Sequence, residues 1–255
     1  MINAIAVPAF RDNYIWLVHD AANRTVIVDP GDAQPVLAAL AHHALTPVAV
    51  LITHHHHDHT GGIGDILARY PVPVLGPARE SIPAVTRRLS DGERICVPST
   101  SMEFTVLDVP GHTAGHIAFF GHNTLLCGDT LFAGGCGRLF EGTPEQMYCS
   151  LQKIARLPET TQVYCAHEYT EDNLRFAAAV EPDNADLRTR IAAVNRLRRN
   201  NLPTIPSTIG EEKRTNPFLR CDEPDVRAAA RAFADTPPES ADQVFAALRS
   251  RKDWF

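Results

Sequence analysis

The segment Thr53–Gly62, THHHHDHTGG, places five of the chain's twelve histidines within six positions and ends in two glycines. It follows an apolar stretch, Val48–Ile52, that is typical of a buried strand. An expression tag is excluded because the segment is internal and continues that strand. Five crowded imidazoles repel one another when protonated, and core packing does not require them. The segment therefore predicts a metal site at a strand end, where the glycines let the chain turn.

Composition narrows the class of protein. The 255 residues suffice for one large core or two smaller ones, and the net charge of −6 argues against a nucleic-acid or membrane-surface binder. Six scattered cysteines without a C-x-x-C pair indicate reduced thiols that fill space in the core. The chain has no basic start before an apolar core and no long apolar span. We therefore expect a cytoplasmic small-molecule enzyme, which we take to be a monomer.

The two ends of the chain differ in composition and pattern. Residues 1–170 hold 10 Lys+Arg, 16 Asp+Glu and all twelve histidines, whereas residues 171–255 hold 14 basic and 14 acidic residues. The first part shows strand patterns, with a helix after Gly62. These strands are Tyr14–Val18, Thr25–Val28, Val48–Ile52, Phe104–Val109, Ile117–Phe120, Thr124–Cys127 and Val163–Cys165. We predict an α/β domain over 1–170 and a helical domain over 171–255.

The second part shows helical spacing. Ala185–Arg199 carries Leu187, Ile191, Val194 and Leu197 on one face. A second helix is expected from Ser240, where S-A-D-Q has the form of a capping box, with Val244, Phe245 and Leu248 turned inward. The Pro-rich residues 201–218 between these helices predict a linker or surface loop around a short helix.

Further candidate ligands follow other apolar strands. FTVLDVPGHTAGH supplies His112 and His116, TLLCGDT supplies Asp129, and QVYCAHEYT supplies His167. Imidazoles and carboxylates bind zinc, iron or manganese, and one carboxylate can bridge two ions. Within THHHHDH, alternate residues of an extended segment point the same way. Spacing alone therefore permits either His54 with His56 or His55 with His57.

The motif T-H-x-H-x-D-H resembles the signature of the metallo-β-lactamase superfamily. A closer resemblance is to glyoxalase II, the hydroxyacylglutathione hydrolases, and it extends over nearly the whole chain. The matching segments are FRDNYIW, VIVDPGD, THHHHDHTGG, PGHTAGHI, CGDTLFAGGCGR, YCAHEYT, NPFLR and RSRKDWF. This resemblance implies a metallo-β-lactamase αββα sandwich followed by a smaller all-helical C-terminal domain.

The resemblance also implies two divalent metal ions, most often zinc, with iron or manganese as alternatives. His54, His56 and His112 would hold one ion; Asp58, His59 and His167 would hold the other; Asp129 would bridge them. His55, His57 and His116 would then not be ligands. His116 and Asp29 would support the site through contacts with the ligands.

The implied reaction is hydrolysis of S-D-lactoylglutathione to D-lactate and glutathione. A water bridging two ions supplies hydroxide near neutral pH, and a thiolate leaves without a general acid, so Asp58 serves as a ligand. The glutathione-contacting positions of the family fall on Arg138, Tyr169, Arg249 and Lys252. Other members carry a lysine and a tyrosine where this chain has Arg138 and Phe140. Without the resemblance, Tyr169 would also suit packing, and the two helical cations would suit a helix dipole.

Three other functions fit the sequence less well. Persulfide dioxygenases share the fold but use one iron, and they do not need Asp58, His59 and His167 together. A phosphodiesterase or nuclease of the superfamily would have a basic surface, unlike residues 1–170. A non-catalytic metal-binding protein is disfavoured because no expected ligand is missing.

Overall fold

The computed structural model describes residues 2–234 and 236–255. The chain forms two compact units. The first runs to Asp108 and resumes over Ala114–Gly128, and the second contains Val109–Thr113 and the chain from Asp129 onward.

The first unit contains ten strands and three helices among the described residues. They are β1 (Asn3–Ala9), β2 (Asn13–His19), β3 (Arg24–Val28), α1 (Ala33–His42), β4 (Thr46–Leu51), α2 (His57–Thr60), α3 (Ile63–Arg69), β5 (Val74–Pro77), β6 (Arg87–Leu89), β7 (Arg94–Cys96), β8 (Glu103–Asp108), β9 (Ile117–Gly121) and β10 (Thr124–Gly128). Strands β1 to β6 form one sheet in sequence order, antiparallel from β1 to β3 and parallel from β3 to β6. Strands β7 to β10 follow one another in antiparallel order.

The core of the first unit lies between its first sheet and two helices. Val36 and Leu40 of α1 and Ile63 and Ile66 of α3 are buried against the apolar side chains of the sheet. Burial of such side chains contributes roughly 1.5–3 kcal/mol each. The parallel strand β4 is almost fully buried at its end. This packing fixes the point at which the histidine-rich segment leaves the sheet.

The second unit is mainly helical. Its elements are β11 (Leu131–Phe132), β12 (Gly135–Cys136), α4 (Pro144–Ala155), β13 (Gln162–Cys165), α5 (Thr170–Val180), α6 (Ala185–Arg199), β14 (Ser207–Thr208), α7 (Ile209–Thr215), a 3-10 turn (Pro217–Leu219), α8 (Pro224–Phe233) and α9 (Ala241–Lys252). Strands β11 and β12 form a hairpin, and β13 pairs with β14. Phe176, Phe218 and Phe245 are fully buried; the ring of Phe218 stacks on that of Phe176 and contacts that of Phe245 edge-on. None of the helices in the described ranges is long and apolar enough to span a bilayer.

Most predicted elements are confirmed. All seven predicted strands are present within two residues at each end, and the helices at Ile63–Arg69 and Ala185–Arg199 are present. Val244, Phe245 and Leu248 are buried as predicted. The expected capping box of α9 is wrong: Ser240 is the N-cap but makes no capping bond with its side chain, and Gln243 accepts instead from the amide of Glu239.

The prediction of a surface loop over 201–218 is wrong in its second half. The short helix exists, but Ile209, Glu212 and Phe218 are fully buried, and β14 adds a strand after residue 170. Glu212 is buried because Arg190 pairs with it at 2.5 Å, and the backbone amide of Gly134 and the side-chain amide of Asn216 donate to it. A paired carboxylate can occupy a core that a lone one would not enter. The polar sequence of this segment therefore led to a prediction of solvent exposure, whereas part of the segment is buried.

Candidate metal centre

The histidine-rich segment begins as an extended continuation of β4. His54 and His59 are buried, and His56 is half-buried. The chain bends at His56, which is the N-cap of the one-turn helix α2. This bend separates an extended pair, His54 and His56, from a helical pair, Asp58 and His59. The two pairs therefore direct their ligand atoms differently.

The extended pair has the spacing of two ligands of one ion. Nε2 of His54 lies 3.1 Å from Nδ1 of His56. Two nitrogens that are each 2.0–2.1 Å from a tetrahedral ion lie about 3.3 Å apart. Nδ1 of His54 faces the hydroxyl of Thr53 at 3.0 Å, so Nε2 is the ring nitrogen turned toward His56. This chemistry fits a divalent metal ion.

The helical pair has a similar spacing. Oδ2 of Asp58 lies 3.4 Å from Nε2 of His59. The side-chain amide of Asn13 donates to Oδ2 of Asp58 at 2.9 Å, which orients the carboxylate. Asn13 lies in the segment FRDNYIW, but no local sequence pattern indicated its contact with Asp58.

Asp29 orients His59 from behind. Its Oδ2 lies 3.1 Å from Nδ1 of His59 and accepts from the hydroxyl of Thr53 at 2.7 Å, while Oδ1 accepts from the Thr53 amide. Because a carboxylate only accepts, Nδ1 of His59 carries the proton and Nε2 is left for a metal. The backbone of Asp29 is left-handed, with φ +51°, a conformation that costs a non-glycine residue about 1–2 kcal/mol. Three side-chain hydrogen bonds, two with Thr53 and one with His59, hold the residue there. Strain of this kind clusters at functional sites.

The three histidines that the resemblance excludes as ligands have other surroundings. Nδ1 of His55 faces Oε2 of the buried Glu80 at 3.0 Å, and His57 is exposed. The ring of His116 stacks on that of His54, with centroids 4.6 Å apart. This packing suits the supporting role expected of His116.

In the second unit, one carboxylate oxygen serves two imidazoles. Oδ2 of Asp129 lies 3.5 Å from Nε2 of His112 and 3.3 Å from Nε2 of His167. Both distances match the separation of two ligands on one ion, about 3.3 Å. Asp129 is buried behind Gly128, the last residue of β10. These distances fit the predicted role of Asp129 as a bridging ligand.

Local contacts also orient these two histidines. Nδ1 of His112 donates to the backbone carbonyl of Arg138 at 2.8 Å, because a carbonyl only accepts. This leaves Nε2 of His112 for a metal. The ring of His167 stacks in parallel on that of Tyr169 at 4.7 Å, and Phe132 contacts both rings edge-on. Tyr169 therefore packs against a predicted ligand.

Each predicted ligand belongs to a group of histidine and aspartate side chains that could hold a metal ion; these are His54, His56, Asp58, His59, His112, Asp129 and His167. Among the described residues, His55, His57 and His116 belong to none of these groups. The donor chemistry therefore supports divalent metal binding. The share of each residue in the site stays a prediction.

The predicted substrate-binding cations lie near the end of α9 and after β12, and they contact the chain itself. Arg249 is buried; its Nη1 donates to the carbonyl of Cys136 at 2.9 Å, and its Nη2 donates to Oδ1 of Asp253 at 3.0 Å. Nζ of Lys252 lies 3.4 Å from the carbonyl of Asp172 and over the ring of Phe176. Arg249 is thus less accessible than its sequence context implied.

The prediction that the cysteines fill space in the core holds for four of them and is wrong for Cys96 and Cys149, which are exposed. Four of the six are buried, and no disulfide forms among them. Burial raises the pKa of the Cys136 thiol, and burial raises the pKa of Cys165 to about 12. A thiol with a raised pKa is a poor nucleophile near neutral pH.

Two family models divide the chain between them. The model of the metallo-beta-lactamase superfamily matches residues 9–167, and that of the hydroxyacylglutathione hydrolase C-terminus matches residues 168–255. The hydroxyacylglutathione hydrolase of Nitrosomonas europaea is 53% identical over 255 residues, which cover 100% of this chain and 97% of the relative. This chain belongs to the hydroxyacylglutathione hydrolase family. A second member, from Alkalilimnicola ehrlichii, is 55% identical over 254 residues and 99% of both chains.

Solved structures confirm the fold expected of a hydroxyacylglutathione hydrolase family member. ETHE1 from Myxococcus xanthus is 24% identical and has a TM-score of 0.68 over 97% of this chain and 89% of its own. TTHA1623, solved in a di-iron-bound form, is 27% identical with a TM-score of 0.60 over 85% of this chain and 100% of its own. The metallo-β-lactamase fold with a C-terminal helical region is therefore established for this chain.

Proposed function

We propose that this chain hydrolyses S-D-lactoylglutathione and related S-2-hydroxyacylglutathiones to D-lactate and glutathione, the second step of methylglyoxal detoxification. The observation that carries the proposal is the full-length match, above 50% identity, to relatives named hydroxyacylglutathione hydrolase. The match includes the C-terminal region specific to that family. A bare metallohydrolase would lack that second region.

The proposed centre holds two divalent ions, with zinc as the first choice. His54, His56 and His112 would bind one, Asp58, His59 and His167 the other, and Asp129 both. Four donor pairs support this division, with separations of 3.1, 3.4, 3.5 and 3.3 Å. The di-iron-bound form of TTHA1623 is a precedent for two metals in a protein of similar fold.

When bound, such ions supply an acidified water as nucleophile and stabilise the negative charge that develops on the thioester carbonyl oxygen. The chain's own residues set the geometry of this chemistry. Asp29 and the Arg138 carbonyl fix the protonated nitrogens of His59 and His112, which leaves the opposite nitrogens as donors. The side-chain amide of Asn13 orients the carboxylate of Asp58 for the proposed ligand role. A thiolate leaves without protonation, so the reaction requires no general acid.

The proposed substrate site uses Arg138, Tyr169, Arg249 and Lys252. The side chain of Arg138 is 57% exposed, whereas that of Arg249 is 7% exposed. Arg138 and Lys252 therefore offer the more accessible charges for a glutathione carboxylate. The guanidinium of Arg249 lies closer to the core. Tyr169 adjoins the ligand His167. The exposed Phe140 packs edge-on against the ring of His112, at 5.2 Å, and offers no hydroxyl.

The domain and cellular assignments are part of the proposal. Residues 1–170 would be the catalytic domain and residues 171–255 the substrate-binding domain, in line with family models that meet at residues 167 and 168. We further propose a monomer that acts in the cytoplasm without a nucleic-acid or membrane partner. Size-exclusion chromatography with light scattering tests the monomer.

The decisive experiment combines metal analysis with a thioester assay on the purified protein. We expect two divalent ions per chain and rapid loss of S-D-lactoylglutathione, with little loss of a simple acyl-CoA. Two bound ions without thioester hydrolysis would instead indicate a metal-binding protein. One iron with oxygen consumption on glutathione persulfide would indicate a dioxygenase.

A further inference from the structure

Asp253 sits where its charge is unfavourable for its own helix. It is the C-cap of α9, whose last turn carries Arg249, Arg251 and Lys252. The C-terminus of a helix has a partial negative charge and favours cations. An aspartate at this position departs from the usual preference for basic residues at a helix C-terminus. Departures from local preference are expected at functional sites.

The carboxylate of Asp253 joins two arginines that are distant in sequence. Its Oδ1 accepts from Nε of Arg138 at 3.1 Å and from Nη2 of Arg249 at 3.0 Å. Arg249 in turn donates to the carbonyl of Cys136, two residues before Arg138. The contacts form a closed ring: the backbone from Cys136 to Arg138, the Arg138 side chain, Asp253 and Arg249. A buried, packed arginine thus anchors an exposed one.

The hydrogen bond to Asp253 restrains the side chain of Arg138. In residues 2–234 and 236–255, the side chain of Arg138 makes no hydrogen bond or ion pair other than that to Asp253. An exposed arginine without a partner samples many rotamers, and binding a ligand would have to restrict them. The contact uses Nε, so the terminal nitrogens of Arg138 stay available for bidentate contact with another carboxylate.

We propose that Asp253 is a positioning residue for substrate recognition: with Arg249 it holds Arg138 in the orientation that receives a carboxylate of the glutathione thioester. This inference rests on the proposed function. Asp253 does not touch the reacting atoms, so it acts on substrate binding and leaves the chemical step unchanged.

The experiment measures KM and kcat for S-D-lactoylglutathione in the metal-loaded, full-length protein. Asp253→Ala is expected to raise KM on the order of tenfold and to leave kcat within about twofold. Asp253→Asn keeps an acceptor oxygen without the charge and should recover part of this loss. Asp222→Ala is the matched control, because Asp222 pairs with Arg227 at 3.2 Å in the same unit; its KM should equal that of the wild type.

A double-mutant cycle separates positioning from a structural role. In an Arg138→Ala background, Asp253→Ala should change KM less than about twofold, because the side chain it orders is gone. An equal rise in both backgrounds, or an equal loss on a small neutral thioester, would show that Asp253 only anchors the helix. A lower KM in Asp253→Ala would show that it competes with the substrate.

The outcomes also separate this inference from the proposed function. A wild-type protein that hydrolyses no glutathione thioester would overturn the proposed function and this inference with it. Normal wild-type hydrolysis with an unchanged KM in Asp253→Ala would overturn the inference alone.

Discussion

Oδ2 of Asp129 lies 3.3 Å from Nε2 of His167. The same oxygen lies 3.5 Å from Nε2 of His112, a histidine that the resemblance assigns to the other ion. One carboxylate atom thus stands beside a ligand of each proposed site. Removal of this carboxylate should affect both sites at once.

We therefore expect Asp129→Ala to reduce the metal content below one ion per chain and to lower kcat by several orders of magnitude. Elemental analysis and the thioester assay measure these two effects. Asp58→Ala is the matched control, since Asp58 is assigned to one ion, and it should retain the other. A variant Asp129→Ala with two ions and near-normal kcat would exclude the bridging role.

The register of the histidine segment is tested by four single variants. His54→Ala and His56→Ala should lose metal, whereas His55→Ala and His57→Ala should retain it. The physical reason is that Nε2 of His54 and Nδ1 of His56 face each other at 3.1 Å, while His55 faces Glu80. Metal analysis at equal protein concentration gives the answer, and the reversed pattern would mean that the odd-numbered pair binds.

Substrate recognition is tested by Arg249→Ala combined with Lys252→Ala. Charge-assisted hydrogen bonds to a carboxylate contribute roughly 1.5–3 kcal/mol. The loss of both cations should therefore raise KM for S-D-lactoylglutathione about ten- to hundredfold, with both metals retained. A small neutral thioester should be hydrolysed almost normally. Equal losses on the two substrates would mean that these cations only hold the helix in place.

Lys252 should add a pH dependence to KM. Burial lowers its pKa, and the nearby Arg249 lowers it further. KM for the glutathione thioester should therefore rise at alkaline pH that is still below the usual titration range of lysine. In Lys252→Arg the side chain stays charged over this alkaline range, so its KM should stay constant. If its KM instead rose with pH as in the wild type, the titration of Lys252 would not be the cause.

The same lowered pKa has the opposite consequence for folding. The unfolded state binds a proton more tightly than the folded state, so this residue makes the free energy of unfolding rise as pH increases through the lowered pKa. Deprotonation of Lys252 therefore does not destabilise the folded protein over that pH range. A rise in KM over the same range cannot be attributed to unfolding caused by this deprotonation. Urea unfolding at each pH checks this point.

The buried pair of Glu212 and Arg190 is expected to contribute strongly to stability. Glu212→Gln removes the buried carboxylate partner of Arg190 and leaves the partly exposed Glu211, 3.6 Å from its Nε, as a weaker one. Loss of a buried ion-pair partner costs up to about 3–5 kcal/mol in unfolding free energy. Urea unfolding measures the loss. Glu159→Gln removes a carboxylate from the exposed pair with Lys213 and should hardly change stability. Similar losses in the two variants would contradict the prediction.

The positions of the candidate metal donors in the fold could be predicted because these residues follow apolar strands. Strand β4 leads directly into the histidine segment, and strand β10 ends one residue before Asp129. In such places a short local pattern determines both the strand and the side chain at its end. The choice between alternate histidines needed the family resemblance, since both registers share the same period.

Other features depended on contacts between residues far apart in the chain. Arg249 and Arg138 looked like free cations, yet both bond to Asp253, and Arg249 reaches a carbonyl 113 positions away. The buried carboxylate of Glu212 likewise depends on Arg190, 22 positions earlier. No local pattern indicates such pairs, so sequence reasoning assigned too much exposure to these charges.

The hydrogen bond from His112 to Arg138 involves only the backbone of the arginine. A change of side chain at position 138 therefore leaves the acceptor of the imidazole proton in place. The side chain proposed for substrate recognition can therefore change at this position while the proposed ligand His112 keeps its orientation. Under the proposed assignments, substrate preference and the geometry of the metal centre can thus change independently at position 138.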